Sequence, residues 1–135
     1  MERCAAKVKA IVEAERLRRE RQPYLLNFVR QLISRYRNSP ELGWGDFDVL
    51  PQPHRAVFAH RVRWEDAELV AVHNFSPENV SVPLELGPGA AGTELLDLLG
   101  VDNTTVDADG RVEVDLGRYG FRWLRVATKT SRRLR

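Results

Sequence analysis

Acidic side chains at a predicted hairpin tip are the first residues whose types suggest chemistry. Glu65, Asp66 and Glu68 are near neighbours, directly after an alternating apolar segment. Paired carboxylates catalyse acid–base reactions when they line a cleft that raises the pKa of one of them. A hairpin tip faces solvent and forms no cleft, so we interpret these groups as solvated charges.

Histidines and an Asp-x-Asp-Gly sequence are the candidates for metal ligands. Zinc sites need several His or Cys ligands at close spacing, but the histidines do not recur on one element and Cys4 is the only cysteine. Asp107 and Asp109 flank a turn without the further acidic ligands of a calcium loop. We predict no metal and no cofactor. The three histidines are His54, His60 and His73.

Aromatic side chains are the candidates for carbohydrate binding, because flat rings pack on pyranose rings. Trp44 lies between two glycines, and Trp64 ends a strand-like segment beside acidic residues. Tyr119 lies in a turn before the last such segment. We predict these three as weak carbohydrate-binding residues, whereas Phe121 and Trp123 alternate along one strand-like segment and are both expected to point into the core.

The charge distribution bounds the possible partners. Residues 1–22 have a net charge of +3 and residues 129–135 a net charge of +4, whereas residues 23–128 have a net charge of −5. An acidic body is a poor platform for nucleic acid. The sequence has no signal-like or membrane-spanning apolar run, so we expect no membrane partner and a cytoplasmic location.

The first forty residues have helical periodicity. Residues 1–22 form a charged, weakly apolar extension, and Pro23 is expected to end it or to begin a second helix. Residues 23–40 have a wide apolar stripe on one face, which needs a large partner surface. The residues of this stripe that we expect to dock are Leu25, Phe28, Leu32 and Ile33.

From Gly43 onwards the periodicity is that of strands. About seven short apolar segments, separated by turn sequences, predict an antiparallel Greek-key-type β-sandwich over residues 44–128. Pro83 assigns its segment to a sheet edge, because proline cannot donate a ladder hydrogen bond. The predicted fold is therefore mostly β, preceded by one or two helices and followed by a basic tail at 129–135.

Four segments, in order, resemble the C-terminal part of α-amylase-superfamily enzymes, and among these the trehalose synthases most. The resemblance covers residues from Tyr24 to Val126, leaving residues 1–21 outside it. The segments are Leu25–Ile33 with Ser39–Asp46, Val72–Ser76, Leu95–Leu99 and Tyr119–Val126.

The resemblance implies that catalysis belongs to a (β/α)8 barrel which this sequence does not contain. It also implies that the region around Trp44 meets that barrel. Gly120-Phe121-Arg122 resembles the start of the family's nucleophile motif, but Leu124 stands where the aspartate is expected. We therefore predict no catalytic residue in this chain.

Three hypotheses for function follow. The first is a non-catalytic scaffold domain, complete or a fragment, of a trehalose synthase-like or α-amylase-like enzyme, whose partner is a barrel or a second copy docked on the helix. The second is a stand-alone module that binds an α-glucan or a disaccharide. The third is an interaction protein that uses its basic ends.

Overall fold

The computed structural model describes residues 2–127, without the side chains of residues 2, 21 and 22. The predicted basic tail at 129–135 lies outside the described residues. Contacts divide the chain into two compact units, one ending at Arg37 and the other beginning at Asn38. The first unit is a helix and the second is a β-sandwich.

The first unit is a single α-helix, α1, over Glu2–Arg37. The expectation that Pro23 separates two helices was wrong, since Pro23 lies inside α1. Proline there lacks the N–H that would bond the carbonyl four residues earlier, but helical residues continue on both sides. Exposed ion pairs join acidic and basic residues one turn apart, including Glu13 to Arg16 at 2.6 Å and Glu15 to Arg18 at 2.7 Å.

The second unit begins with a short helix, α2, and continues as eight strands with one 3-10 turn. Helix α2 is Glu41–Trp44, and the 3-10 turn is Pro88–Ala90. The strands are β1 Asp46–Leu50, β2 Val57–Trp64, β3 Ala67–Asn74, β4 Val80–Glu85, β5 Glu94–Asp97, β6 Thr104–Thr105, β7 Arg111–Leu116 and β8 Phe121–Val126.

The strands form two antiparallel sheets. One has six strands in the order β1-β2-β3-β8-β5-β6, and the other is the pair β4-β7. Strand β8 returns after four intervening strands to lie beside β3, a non-sequential antiparallel neighbour of the Greek-key kind. The predicted mostly β, antiparallel sandwich preceded by a helix is confirmed.

The main core lies between the two sheets. Val70, Val72 and Leu124 contribute from the six-stranded sheet, and Leu84 and Val114 contribute from the pair β4-β7. Pro83 is paired with Glu113 inside that two-stranded sheet, where each strand has one open edge. Its position agrees with the edge strand expected from the sequence.

The six-stranded sheet also buries part of its opposite face. A second cluster there consists of Val62, Leu69, Ala71 and Leu98, with Leu42 and Trp123 packed against it. Because both faces of β3 are covered, four consecutive residues, 69–72, are buried. The expectation that Phe121 points into the core was wrong. Leu124 and Val126 fill the core from β8, and the alternation of the strand turns Phe121 to the other face.

Candidate functional site

The predicted carbohydrate-binding residues do not form one platform. Trp44 is 78% exposed and Tyr119 is 63% exposed, while Trp64 is half-buried. Trp64 is paired with the first residue of β3, whereas the Tyr119 N–H donates to the carbonyl of Ser76, just beyond the end of β3. An eight-residue strand spans roughly 25 Å, so the rings of Trp64 and Tyr119 lie at opposite ends of the sheet.

The predicted docking residues lie on two different units. Leu25 and Ile33 on α1 are exposed, Leu32 is half-buried, and Phe28 is 37% exposed. The α1 stripe therefore has apolar surface available to a partner. The docking role of these residues and of Trp44 stays a prediction.

The structure shows a further surface on the six-stranded sheet, on the side away from β4-β7. Cross-strand pairing of His60 with Ala71, and of His73 with Phe121, puts alternate residues of neighbouring strands on this side. We call the ring-bearing part the aromatic–histidine face. Its members are Phe47, Phe58, His60, His73, Phe75 and Phe121.

The rings of this face are stacked against one another. The His60 ring lies 5.0 Å from that of Phe47 and 6.3 Å from that of His73, and the two imidazoles are parallel to within 3°. His73 in turn lies 6.1 Å from Phe75 and 6.0 Å from Phe121. Since neighbouring rings take up the flat faces of both histidines, these rings do not offer the free flat surface that a sugar needs.

The electrostatics of the face favour neutral histidines. Burial lowers the pKa of His60, and the charge of His73 lowers it further. Burial also lowers the pKa of His73. Among the described residues, Nδ1 of His60 is buried and has no hydrogen-bond partner. The face is therefore apolar at neutral pH and acquires charge in acid.

A short polypeptide segment covers the neighbouring part of the same side. Leu42 of α2 packs on the second cluster, and Glu41 is completely buried beneath it. Arg125 donates from Nη2 to Oε1 of Glu41 at 2.8 Å and to Oγ of Ser39 at 2.7 Å. Side chains thus hold the segment onto the sheet, and the aromatic–histidine face is what the segment leaves open.

The segment Val72–Ser76 contains an asparagine whose side chain has a structural role. The buried Asn74 side chain donates to the carbonyls of Glu78 and Gly117 at 2.7 and 2.9 Å. Its Oδ1 accepts hydrogen bonds from the backbone N–H of Ser76 at 3.0 Å and from the Ser76 hydroxyl at 2.7 Å. Asn74 therefore ties the turn after β3 to the turn before β8.

The segments Leu95–Leu99 and Tyr119–Val126 meet through an ion pair. Arg122 donates from Nε to Oδ2 of Asp97 at 3.0 Å, and its Nη2 donates to the carbonyl of Asp102. Leu124 is fully buried in the core. The nucleophile-like sequence is therefore part of a core strand, and its arginine orders a loop.

The structure also gives the Asp-x-Asp-Gly sequence a local role. Oδ1 of Asp107 accepts hydrogen bonds from the backbone N–H groups of Asp109 and Arg111, both at 2.9 Å. The carboxylate thereby closes its own turn. Among the described side chains, no three His, Cys, Asp or Glu residues gather as metal ligands.

Sequence reasoning missed the aromatic–histidine face, although β2 and β3 contained a signal for it. Phe58, His60, Val62 and Trp64 alternate with the core residues of β2, which indicates a second apolar side of the sheet. Only the register shows that these residues are neighbours of His73 and Phe121.

Comparison with known proteins relates the chain to carbohydrate-active enzymes. Residues 67–125 match the family model of the sucrose hydrolase-like C-terminal domain. No curated protein sequence matches the chain significantly. The described fold resembles the C-terminal β-domains of α-amylases.

Solved structures agree with this class. An Anoxybacillus α-amylase superposes with a TM-score of 0.69 and 26% identity, covering 78% of this chain and 23% of that enzyme. The α-amylase of Geobacillus thermoleovorans gives 0.59 and 24%, covering 67% of this chain and 20% of that enzyme. A maltogenic α-amylase of Thermotoga neapolitana gives 0.59 and 18%, covering 73% and 25%. This chain thus spans about a quarter of the length of these enzymes.

Within residues 2–127, no helix has the length and apolar content that a membrane span requires.

Proposed function

We propose that this chain is the non-catalytic C-terminal β-domain of an α-amylase-like enzyme that acts on α-glucosidic bonds, and that it stabilises the enzyme's catalytic barrel. The observation with most weight is the likeness to the Anoxybacillus α-amylase, which extends over 78% of this chain. The order of the four sequence segments favours trehalose synthase as the subgroup. A cytoplasmic location belongs to the same proposal.

The stripe on α1 supports a docking role. Leu25 is 64% exposed and Ile33 is 48% exposed, and Val29 and Tyr36 extend the same helical stretch with further exposed apolar surface. A contiguous apolar patch of this kind marks an interaction site. The predicted partner is the barrel, which buries Leu25, Phe28, Leu32 and Ile33. Trp44 would lie where the barrel meets the β-domain.

A chimeric enzyme tests this proposal. Residues 24–127 of this chain would replace the C-terminal β-domain of the Anoxybacillus α-amylase, and the half-life of amylase activity on heating would be compared with that of the bare barrel. We expect a longer half-life for the chimera and a loss of that gain with Leu25→Ser/Ile33→Ser. The matched control is Glu85→Ser on the pair β4-β7. A chimera no more stable than the bare barrel would contradict the scaffold role.

The second candidate function is a stand-alone carbohydrate-binding module, favoured by the exposed rings of Trp44 and Tyr119. Calorimetric titration with maltose, trehalose and maltooligosaccharides distinguishes it from the scaffold. We expect no heat, and no conversion of maltose to trehalose by the chain alone. Saturable binding lost in Trp44→Ala would favour the module, and turnover would contradict both. The hypothesis of basic interacting ends stays a prediction.

A further inference from the structure

The aromatic–histidine face has no part in the docking described above, which uses the α1 stripe and Trp44. We propose that this face is a second docking surface for the same barrel, so that the barrel holds the domain through the six-stranded sheet as well as through α1. The inference rests on the proposed function, because the barrel is the partner assigned there. Phe75 is 66% exposed, and Phe47 and Phe58 are also exposed, so the face has apolar surface for a partner to cover.

The path of the chain brings the barrel to this side of the sheet. Helix α1 ends at Arg37, and the carbonyl of the next residue, Asn38, accepts a hydrogen bond from Nη2 of Arg125 at 3.2 Å. Arg125 lies on the sheet side that holds the face, because it is paired with Leu69 of the second cluster. A barrel that buries the α1 stripe is therefore joined to this side of the sheet without an intervening linker. A free partner has no such connection.

The residues that follow α1 continue along the same side towards the rings. Leu42 packs on the second cluster. Phe47 is paired with Val62 of that cluster and stacks on His60 at a ring distance of 5.0 Å. The exposed Trp44 lies between Leu42 and Phe47 in the chain, so the predicted junction with the barrel is continuous with the aromatic–histidine face.

The exposed area of the face suits a partner that is already tethered. A buried phenylalanine contributes on the order of 150–250 Å², and the four phenylalanines of the face are between 38% and 66% exposed. Their sum is several hundred Å², below the roughly 800 Å² that each of two separate proteins buries in a standard interface. A short tether supplies its partner at an effective concentration of the order of millimolar, and contacts between linked domains begin at about 600 Å². The area is thus small for a second copy in solution but sufficient for a barrel attached through α1.

The chemistry of the face specifies what the barrel should present. On this side of β1, β2 and β3 the strand residues are apolar apart from His60 and His73. No carboxylate or lysine of these strands points to this side to pair with a charged partner. We therefore expect an apolar, uncharged patch on the outer surface of the barrel.

Cysteine labelling at position 75 tests the proposal in the chimera described above. Residues 24–127 contain no cysteine, so Phe75→Cys gives this part of the chimera one reactive site, and Cys4→Ser does the same for a full chain with Phe75→Cys. If the barrel covers the face, the peptide that contains residue 75 should react with a maleimide roughly tenfold more slowly in the chimera than in the full chain. Ser81→Cys, at an exposed position on β4, is the matched control and should react at similar rates in both proteins.

Heating gives a second, independent measurement. Phe47→Ser/Phe75→Ser should shorten the half-life of amylase activity of the chimera, because it removes apolar surface from the contact. Glu85→Ser, on the pair β4-β7, should leave the half-life unchanged. Circular dichroism of the full chain with each substitution would confirm that the sandwich itself is folded.

The outcomes separate this inference from the proposed function. A chimera that is more stable than the bare barrel, but in which residue 75 reacts as fast as in the full chain, would overturn the inference and leave the scaffold role intact. A chimera no more stable than the bare barrel would overturn both. Protection of residue 75 that develops in the full chain alone as its concentration rises would assign the face to a second copy, and would also overturn the inference.

Discussion

The guanidinium of Arg125 lies 2.8 Å from the carboxylate of Glu41, a residue 84 positions earlier in the chain. Glu41 has no exposed surface, and the side chain of Arg125 is only 27% exposed. The contact joins the segment before β1 to strand β8. It thereby holds this segment over one part of the sheet side on which the aromatic–histidine face lies.

Removing the guanidinium of Arg125 should destabilise the fold, because it leaves the buried carboxylate of Glu41 unpaired. For Arg125→Leu we expect a loss of about 3 kcal/mol in the free energy of unfolding, measured by urea denaturation. Glu41→Leu in the same chain should recover part of the loss. Arg63→Leu, whose ion pair with Asp48 is exposed, is the control and should cost less than about 1 kcal/mol. Equal losses in the free energy of unfolding for Arg125→Leu and Arg63→Leu would contradict the structural role of the buried Glu41.

Gly110 should tolerate no side chain, because a Cβ there would overlap the carbonyl of Gly87 and the backbone has a φ of +79°. The backbone N–H of Leu86 donates to the Gly110 carbonyl at 2.8 Å, so the two backbone segments cannot separate without losing that hydrogen bond. We expect Gly110→Ala to lower the free energy of unfolding by about 2–3 kcal/mol.

Gly89→Ala is the matched control for that substitution. A Cβ at Gly89 meets no atom within 4 Å, so we expect a change within about 0.5 kcal/mol. Both values come from urea denaturation of the two variants under one set of conditions. A Gly110→Ala variant as stable as Gly89→Ala would mean that the two backbones do not approach as described.

Asn74 should be the most sensitive amide of the sandwich. Asn74→Ala removes four hydrogen bonds and leaves the Glu78 and Gly117 carbonyls without this donor, for which we expect a loss of about 2–4 kcal/mol. Asn79→Ala is the control, because its exposed side chain accepts a single bond, from the Arg118 N–H at 3.2 Å. Thermal unfolding of both variants checks the prediction, and similar losses would contradict it.

Stability should fall on mild acidification because of the two stacked histidines. Their pKa values in the folded chain lie below the ordinary 6.5, so the unfolded chain binds more protons as the pH falls through about 6.5. The stability that neutral histidines provide is therefore complete above pH 6.5 and declines below it. It levels off once the folded chain is protonated as well.

The difference between two proteins isolates this effect from the carboxylates. Urea unfolding of the wild type and of His60→Leu/His73→Leu, in dilute solution between pH 5.5 and 7.5, should show a steeper pH dependence for the wild type. His54→Gln, outside the aromatic–histidine face, should behave like the wild type. Parallel profiles for all three proteins would show that the histidine pair does not titrate as described.

Local patterns predicted much of the fold. Alternation in residues 57–64 and 69–74 and the turn residues between them gave the hairpin, and Pro83 gave the edge strand, because each depends on neighbours in sequence. Strand β6 was missed because two threonines have no periodicity. The helix break at Pro23 was wrong because a local penalty did not outweigh good helix formers on both sides.

The candidate site was less accessible to prediction. Trp44, Trp64 and Tyr119 are all aromatic, but the length of β3 separates Tyr119 from Trp64. His60 and His73 were dismissed as metal ligands because of their spacing and the single cysteine, and their proximity depends on the register of β2 against β3. Register is a property of pairing between distant segments, which one sequence does not show.

Strand β8 is hydrogen-bonded to both β3 and β5, yet it is the last strand in the chain order. During synthesis, the six-stranded sheet therefore remains two separate parts until Val126 has left the ribosome. Until then, β3 presents an open edge and an uncovered apolar row, which are the features that recruit chaperones and favour aggregation. Folding of the sandwich thus requires that β8 has been synthesised, and a chain stopped before Phe121 has no native edge for β3.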